Sequence, residues 1–335
     1  MSEIFLPVAE IRRDLHPKRL IPALSAGLVT GILATIMSVS MAALIFSGPL
    51  TTFIPLGLGL FLVGNAIMTI LIASFSSHAS IQFNLQDAPT AILVITIAAA
   101  VIAMPASLTS ETRYYTVVMI IILATILTGL LFILLGHYQL GSLIRFLPYP
   151  VVGGFLAGTG WLLTIGAVSV MTQSGLSWSL LQPALLVRWL PGLGFAFTLR
   201  WLLNRSNHPL VVPGMFLTGT ALFYLLIRLL GLSTTEMSRE GWLLGPFLER
   251  GGWQFPLTPD HISLIYWPVI ISNLTTLLPV FIVAVIAFLF NISGLELMLK
   301  QDLDLNREMK IFGLTNLVSG LFGSVIGFHL SVCRV

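Results

Sequence analysis

Charge is what this sequence has least of. Only 9% of its 335 residues are Asp, Glu, Lys or Arg, while 56% are apolar and the mean hydropathy is +0.99. A water-soluble domain carries about 25% charged residues, so most of this surface must face lipid. Cysteine is almost missing as well. The one present, Cys333, excludes an internal disulfide framework. No group of Cys, His and carboxylates has metal-ligand spacing, and neither a metal nor another cofactor is indicated. There is no nucleophile–base pairing and no phosphate loop, which argues against an enzyme; His78, His137, His208, His261 and His329 are scattered among loops and span ends. The pI is near 9.2, but the basic residues form no single stripe, so nucleic acid is not indicated as a partner.

What the sequence has is long apolar runs. The first, from Ile21 to about Phe46, follows Arg12, Arg13, Asp14, Lys18 and Arg19. It exceeds the roughly 7–15-residue core of a signal peptide and reads as a first span. A transmembrane helix needs about 20 mostly apolar residues, which places spans near 21–46, 53–73, 90–104, 115–136, 150–172, 185–203, 209–230 and 268–290, with a shorter apolar segment at 311–326. The fold class is therefore an all-α polytopic membrane protein with the bilayer as its solvent. With the N-terminus inside, the cytoplasmic side receives Arg12, Arg13, Lys18, Arg19, Arg145, Arg200, Arg205, Lys300, Arg307 and Lys310. The outer side receives Arg113, Arg188, Arg228, Arg239 and Arg250. That excess predicts a cytoplasmic N-terminus, in the plasma (inner) membrane. The polar interval 231–262 divides the chain into a cytoplasmic segment (1–20), a first set of seven spans (21–230), a connection (231–262) and the start of a second set (263–335). Gly27 with Gly31, and Gly154 with Gly158, have the spacing of close helix packing.

Two segments break the pattern. From Ser74 to Pro89 the chain reads SFSSHASIQFNLQDAP, and the apolar run that follows, TAILVITIAAAVIAM, is only about 15 residues long. A short helix reached by extended chain can begin inside the membrane if its free backbone groups are buried in protein or line a wet cavity. Pro89 suits a first helical turn, and the unpaired amides there favour an anion. Asp87, Ala88, Pro89 and Thr90 are the candidates at this helix start, with capping as the alternative role of Asp87. The second break is the end of the chain, NLVSGLFGSVIGFHLSVCRV, which turns polar at His329 and Ser331. Two interrupted segments in corresponding positions of two halves point to a transporter's midplane site. In FNISGLELMLKQDLDLN, Glu296 is an acid at a span with Asn291 before it. Both are candidates for ion coupling, against a boundary position for Glu296 beside Asp302, Asp304, Arg307 and Glu308.

Several strings resemble the sulfate permease (SulP) family of anion transporters. FLPYPVVGGFLAGTGWLLTIGAVSVM at 146–171 is similar to the start of its fifth span, and EMKIFGLTNLVSGLFGSVIGFH at 308–329 to its ninth span and the approach to the tenth. SVSMAALIFSGPL at 38–50 is similar to the first span and QDAPTAILV at 86–94 to the third. The resemblance implies a fold of two inverted repeats of seven spans. Spans 1–4 and 8–11 form a core, and spans 5–7 and 12–14 form a gate. A solute sits between short, broken third and tenth helices beside the first and eighth spans, which adds Ser38 and Ser40 to the candidates. It also implies homodimers and a soluble STAS domain. This sequence departs from the pattern: the family's first span often has Gln and Tyr where Val39 or Ser40 and Ala43 stand, and its eighth span often carries an acid nearer to Asn291 than to Glu296. The chain stops at Val335, so spans eleven to fourteen and the STAS domain are absent, and a truncated form is expected. The expected function is secondary transport of an inorganic anion such as sulfate; the alternatives are an amino acid or other organic solute on the same fold, and a non-transporting remnant or scaffold.

Overall fold

The computed structural model describes residues 17–75, 82–85, 87–141, 149–172, 175, 177–206, 210–243, 252–299 and 303–330. The apolar runs form helices α1 (Pro17–Ile45), α2 (Ile54–Phe75), α3 (Asp87–Ala103), α4 (Ser110–His137), α5 (Tyr149–Thr172), α6 (Pro183–Arg205) and α7 (Val211–Leu229). The polar connection contributes the short helices α8 (Thr234–Arg239) and α9 (Pro259–Ser263). After these come α10 (Trp267–Ser272), α11 (Leu278–Leu299) and α12 (Leu305–Leu321). Three 3-10 turns (Gly48–Phe53, Trp178–Leu181 and Leu274–Leu277) and two four-residue strands, β1 (Gln82–Leu85) and β2 (Gly327–Leu330), complete the described elements. The protein is thus a helical, multi-pass membrane fold with one small ribbon inside it. Among the described residues, Gly48–Phe75, Ser110–His137, Val211–Leu229 and Leu274–Ile292 are long and apolar enough to cross a bilayer. Thr30–Ile45, Asp87–Ala103 and Gly160–Thr172 are shorter apolar helices.

Two runs depart from the sequence reading, each for a local reason. The run 268–290 is not one helix. It breaks into α10, a 3-10 turn at Leu274–Leu277, and α11, which continues to Leu299. Pro279 is the cause at the restart, since it cannot donate to the carbonyl four residues back and its ring crowds that carbonyl. Before it, Asn273 Nδ2 bonds the Val269 carbonyl at 2.9 Å, side-chain competition that loosens a helix end. The run 311–326 is helical only to Leu321. It then turns at Gly323, whose φ of +84° suits a residue without Cβ, and enters β2.

The core lies among α1–α4 and α10–α12. Phe46, Phe61, Phe132, Phe288 and Phe312 are among its largest fully buried side chains. Phe288 meets Phe132 at a tilt and Phe312 edge to face, with centroids 5.1 and 4.9 Å apart, tying α4, α11 and α12 together. By contrast α6 has no buried residue and α7 only Pro213 and Ile227. Their exposed Phe197, Trp201, Leu217 and Leu226 give those helices an apolar surface suited to lipid or to other helices.

Among the described helices α4 and α12 share the most extensive contact, and glycine lets them approach. A methyl group at Gly129 would lie 2.7 Å from the Gly313 carbonyl oxygen, and one at Gly136 would lie 2.7 Å from that of Asn306. Gly320 meets Thr125 in the same seam. The glycines recur every seven residues on both helices, about two turns, which keeps them on one face. The pairs Gly27/Gly31 and Gly154/Gly158 behave differently from expectation: a Cβ on any of the four would meet nothing within 4 Å. Gly129→Leu is therefore expected to force the helices apart at about 1–3 kcal/mol, the usual cost of overpacking. Gly154→Leu should stay within about 0.5 kcal/mol. Thermal unfolding of the two variants in detergent, compared with the parent, measures this; equal stability would refute the seam.

Candidate functional site

The two interrupted segments meet. β1 and β2 pair antiparallel with Gln82 opposite Leu330, Phe83 opposite His329, Asn84 opposite Phe328 and Leu85 opposite Gly327. Each strand thereby gives the other partners for backbone groups that a helix would have satisfied internally, the condition for irregular chain at membrane depth. β1 packs on α1 and α2, and β2 on α11 and α12, so the ribbon is enclosed by the core.

The register fixes where α3 starts. Asp87 follows Leu85 by two residues, and Leu85 lies opposite Gly327, so the head of α3 sits where β2 begins. The far end of β2, Leu330, lies by Gln82, about 10 Å along the ribbon at roughly 3.4 Å per residue. With 17 residues, α3 spans roughly 26 Å, less than the roughly 30 Å hydrocarbon core.

At that helix start Ala88, Pro89 and Thr90 are buried, while Asp87 is exposed. The Asp87 carboxylate accepts the Ala88 amide at 2.8 Å. A carboxylate is favoured at a helix N-terminus, and this one occupies an amide that a bound anion would otherwise use. Ser38 and Ser40 do not converge. Two residues apart on a helix they point about 200° apart: Ser38 is buried and donates to the Ala34 carbonyl at 2.8 Å, and Ser40 is exposed and donates to Ile36 at 2.9 Å. Of these, only Ser38 lies on the buried side of α1, the helix that packs against β1 and α3.

Glu296 and Asn291 have local partners. Glu296 Oε1 accepts the Leu303 amide at 3.0 Å, closing the turn from α11 to α12, and Asn291 Nδ2 donates to the Ala287 carbonyl at 2.8 Å. Asp304 caps α12, accepting from the Asn306 and Arg307 amides at 3.1 Å each. Glu308, grouped in the sequence with the boundary residues, is instead fully buried in the first turn beyond that cap. His329 enters only through its backbone pairing with Phe83. Ser331, Cys333, His78, His208 and Asp302 lie outside the described residues.

The residues that anchor the ribbon escaped the sequence reading. Asn316, fully buried in α12, donates from Nδ2 to the Gly327 carbonyl at 2.9 Å and accepts the Gly327 amide at 3.0 Å. Thr125 of α4 is 2.9 Å from the Ser324 carbonyl, and Gly64 of α2 leaves the space that the Ser324 side chain fills. One signal was available: an amide with Thr315 and Ser319 around it, midway along an apolar run, is costly in lipid and by default functional.

The family model described as "Sulfate permease family" matches residues 20–331. The transmembrane domain of a cyanobacterial bicarbonate transporter, BicA, superposes with a TM-score of 0.63 at 20% identity, covering 91% of this chain and 73% of that one. The vacuolar basic amino acid transporter of Saccharomyces cerevisiae is 23% identical over 214 residues, 61% of this chain. The chain spans about a fifth (21%) of that yeast relative's length.

The pairing itself can be trapped. Opposed residues of an antiparallel pair lie about 4.5–5.5 Å apart at Cα, inside the disulfide range of about 4.4–6.8 Å. In a Cys333→Ser background, Phe83→Cys with His329→Cys is expected to cross-link under mild oxidation. Phe83→Cys with Phe328→Cys, one residue out of register and on the opposite face, should not. Proteolysis within 231–262 followed by a non-reducing gel reads the result. No cross-link in the aligned pair, or equal cross-linking in both, would contradict the register.

Proposed function

The chain belongs to the sulfate permease family, and we propose that it moves a small inorganic anion such as sulfate or bicarbonate across a membrane as a secondary transporter. The observation that carries this reading is the ribbon at the head of α3. It joins the two interrupted segments and sets the first turn of a short helix, with buried Ala88, Pro89 and Thr90, against the start of β2. The N-terminal end of such a helix carries partial positive charge and suits an oxyanion. The likeness in fold to a bicarbonate transporter supports the same solute class.

In this reading α1–α4 and α10–α12 belong to a core that carries the site, and α5–α7 belong to a gate. The near absence of buried residues in α6 and α7 supports their movement relative to the core, since weakly packed units shift most easily. The division into residues 21–230, 231–262 and 263–335 then follows two inverted repeats of seven spans. The excess of basic residues on one side supports a cytoplasmic N-terminus; the plasma (inner) membrane is the location proposed, and family resemblance supports a homodimer. To couple an ion, Glu296 and Asn291 would use oxygens other than the atoms in their bonds to the Leu303 amide and the Ala287 carbonyl.

One observation favours a second reading, a cationic amino acid as solute. Asp87 is exposed at the head of α3, and a relative is a basic amino acid transporter. The two readings give opposite signs for one substitution. For an anion, Asp87→Asn removes repulsion of about 1 kcal/mol and should lower KM roughly fivefold. For a cationic solute the same change should raise KM or abolish uptake. Proteoliposomes holding the chain are expected to take up labelled sulfate or bicarbonate saturably, with unlabelled lysine and arginine failing to compete. No inorganic anion uptake under any proton or sodium gradient would overturn the anion reading.

A further inference from the structure

We propose that Asn316 is a positioning residue: by gripping both backbone groups of Gly327 it sets the ribbon, and through the ribbon the solute-facing first turn of α3. The proposal rests on the transport reading for its consequence, but not for its geometry. Asn316 is fully buried, and its carboxamide is used at three points: Nδ2 donates to Phe312 and Gly327 carbonyls, both at 2.9 Å, and Oδ1 accepts the Gly327 amide at 3.0 Å. One side chain thus does for Gly327 what a third strand would do. The Phe312 bond fixes the carboxamide against its own helix, so the grip has a rigid base.

The two-point contact determines the ladder. In an antiparallel pair, opposed residues either exchange both backbone bonds with each other or turn both outward. The Gly327 amide is spent on Asn316, so Gly327 and Leu85 form an outward-facing pair, and Asn84 with Phe328 exchanges the ladder bonds. Phe83 with His329 is then outward-facing again. The strand's root is held from a second helix by Thr125, whose hydroxyl is 2.9 Å from both the Ile121 and Ser324 carbonyls. On the other side of the ribbon, Leu85 passes the placement on to Asp87 and Ala88 two and three residues later. No solute contact by Asn316 is needed. A helix start displaced by about 1 Å can lose up to a hundredfold in function.

A polar side chain that merely fills space would behave differently, and two measurements on the whole chain in lipid separate the cases. Asn316→Leu keeps the volume and removes the grip. Asn316→Asp keeps the acceptor for the Gly327 amide and, when protonated, can return one donor. Backbone amide hydrogen exchange, recorded without any solute, is expected to quicken at least tenfold at 82–85 and 327–330 in Asn316→Leu. It should change less than threefold within α4, with Asn316→Asp intermediate. Uptake of labelled sulfate or bicarbonate is expected to show KM raised about tenfold and the maximal rate within about twofold. Should Asn316→Leu fail to fold, Asn316→Asp carries the same test with smaller shifts. Unchanged exchange in the two strands overturns the proposal whatever transport shows, and so does quickened exchange with KM unmoved. Absence of uptake by the parent chain instead overturns the transport reading, which the solute-free exchange measurement keeps distinct.

Discussion

A peptide group in a bilayer must find a partner, and the whole arrangement follows from how two broken segments meet that demand. Helices satisfy it alone. Where α3 and the chain beyond α12 give up helical bonding, β1 and β2 bond each other instead, in a register that puts Leu85 against Gly327. Without that pairing, four-residue strands in apolar surroundings would expose amides and carbonyls at several kcal/mol each. With it, a short helix can start inside the protein, its positive N-terminal end held where β2 begins.

The surrounding helices serve this pairing. α4 and α12 approach to backbone contact through Gly129, Gly136, Gly313 and Gly320, which lets Thr125 reach the Ser324 carbonyl and keeps Asn316 in line with Gly327. The contacting rings of Phe132, Phe288 and Phe312 tie α11 to the same pair of helices. The result is a stiff frame for the ribbon, beside an outer set of helices with little buried surface. On the proposed transport reading that contrast has a use: a firmly held site next to helices that can shift.

Much of this was legible in the sequence because lipid imposes a simple rule on composition. Uninterrupted apolar runs gave away α1–α7, and the polar run before Pro89 marked where a helix had to restart. Other features depend on contacts that no local pattern encodes. QFNL and GFHL carry no alternation long enough to announce strands, and their pairing joins opposite ends of the chain. The glycine seam repeats at seven residues rather than four, so Gly27/Gly31 and Gly154/Gly158 drew attention that Gly129 and Gly313 deserved. Asn316 escaped because its partners are backbone atoms of Gly327, which every sequence has everywhere. Ser38 and Ser40 looked equivalent in a string, but helical geometry sends them to opposite sides. Glu296 as an acid at a span was visible; its bond to the Leu303 amide was not.

On the proposed transport reading, the paired strands present the head of α3 to a bound anion. Backbone amide resonances of the chain in lipid nanodiscs, titrated with sulfate and then bicarbonate, test it most directly. Saturable shifts are expected at Ala88 and Thr90, accompanied by Gly327 and Phe328 with the same apparent Kd. Shifts confined to other parts of the molecule, with these four amides silent at saturating anion, would contradict it.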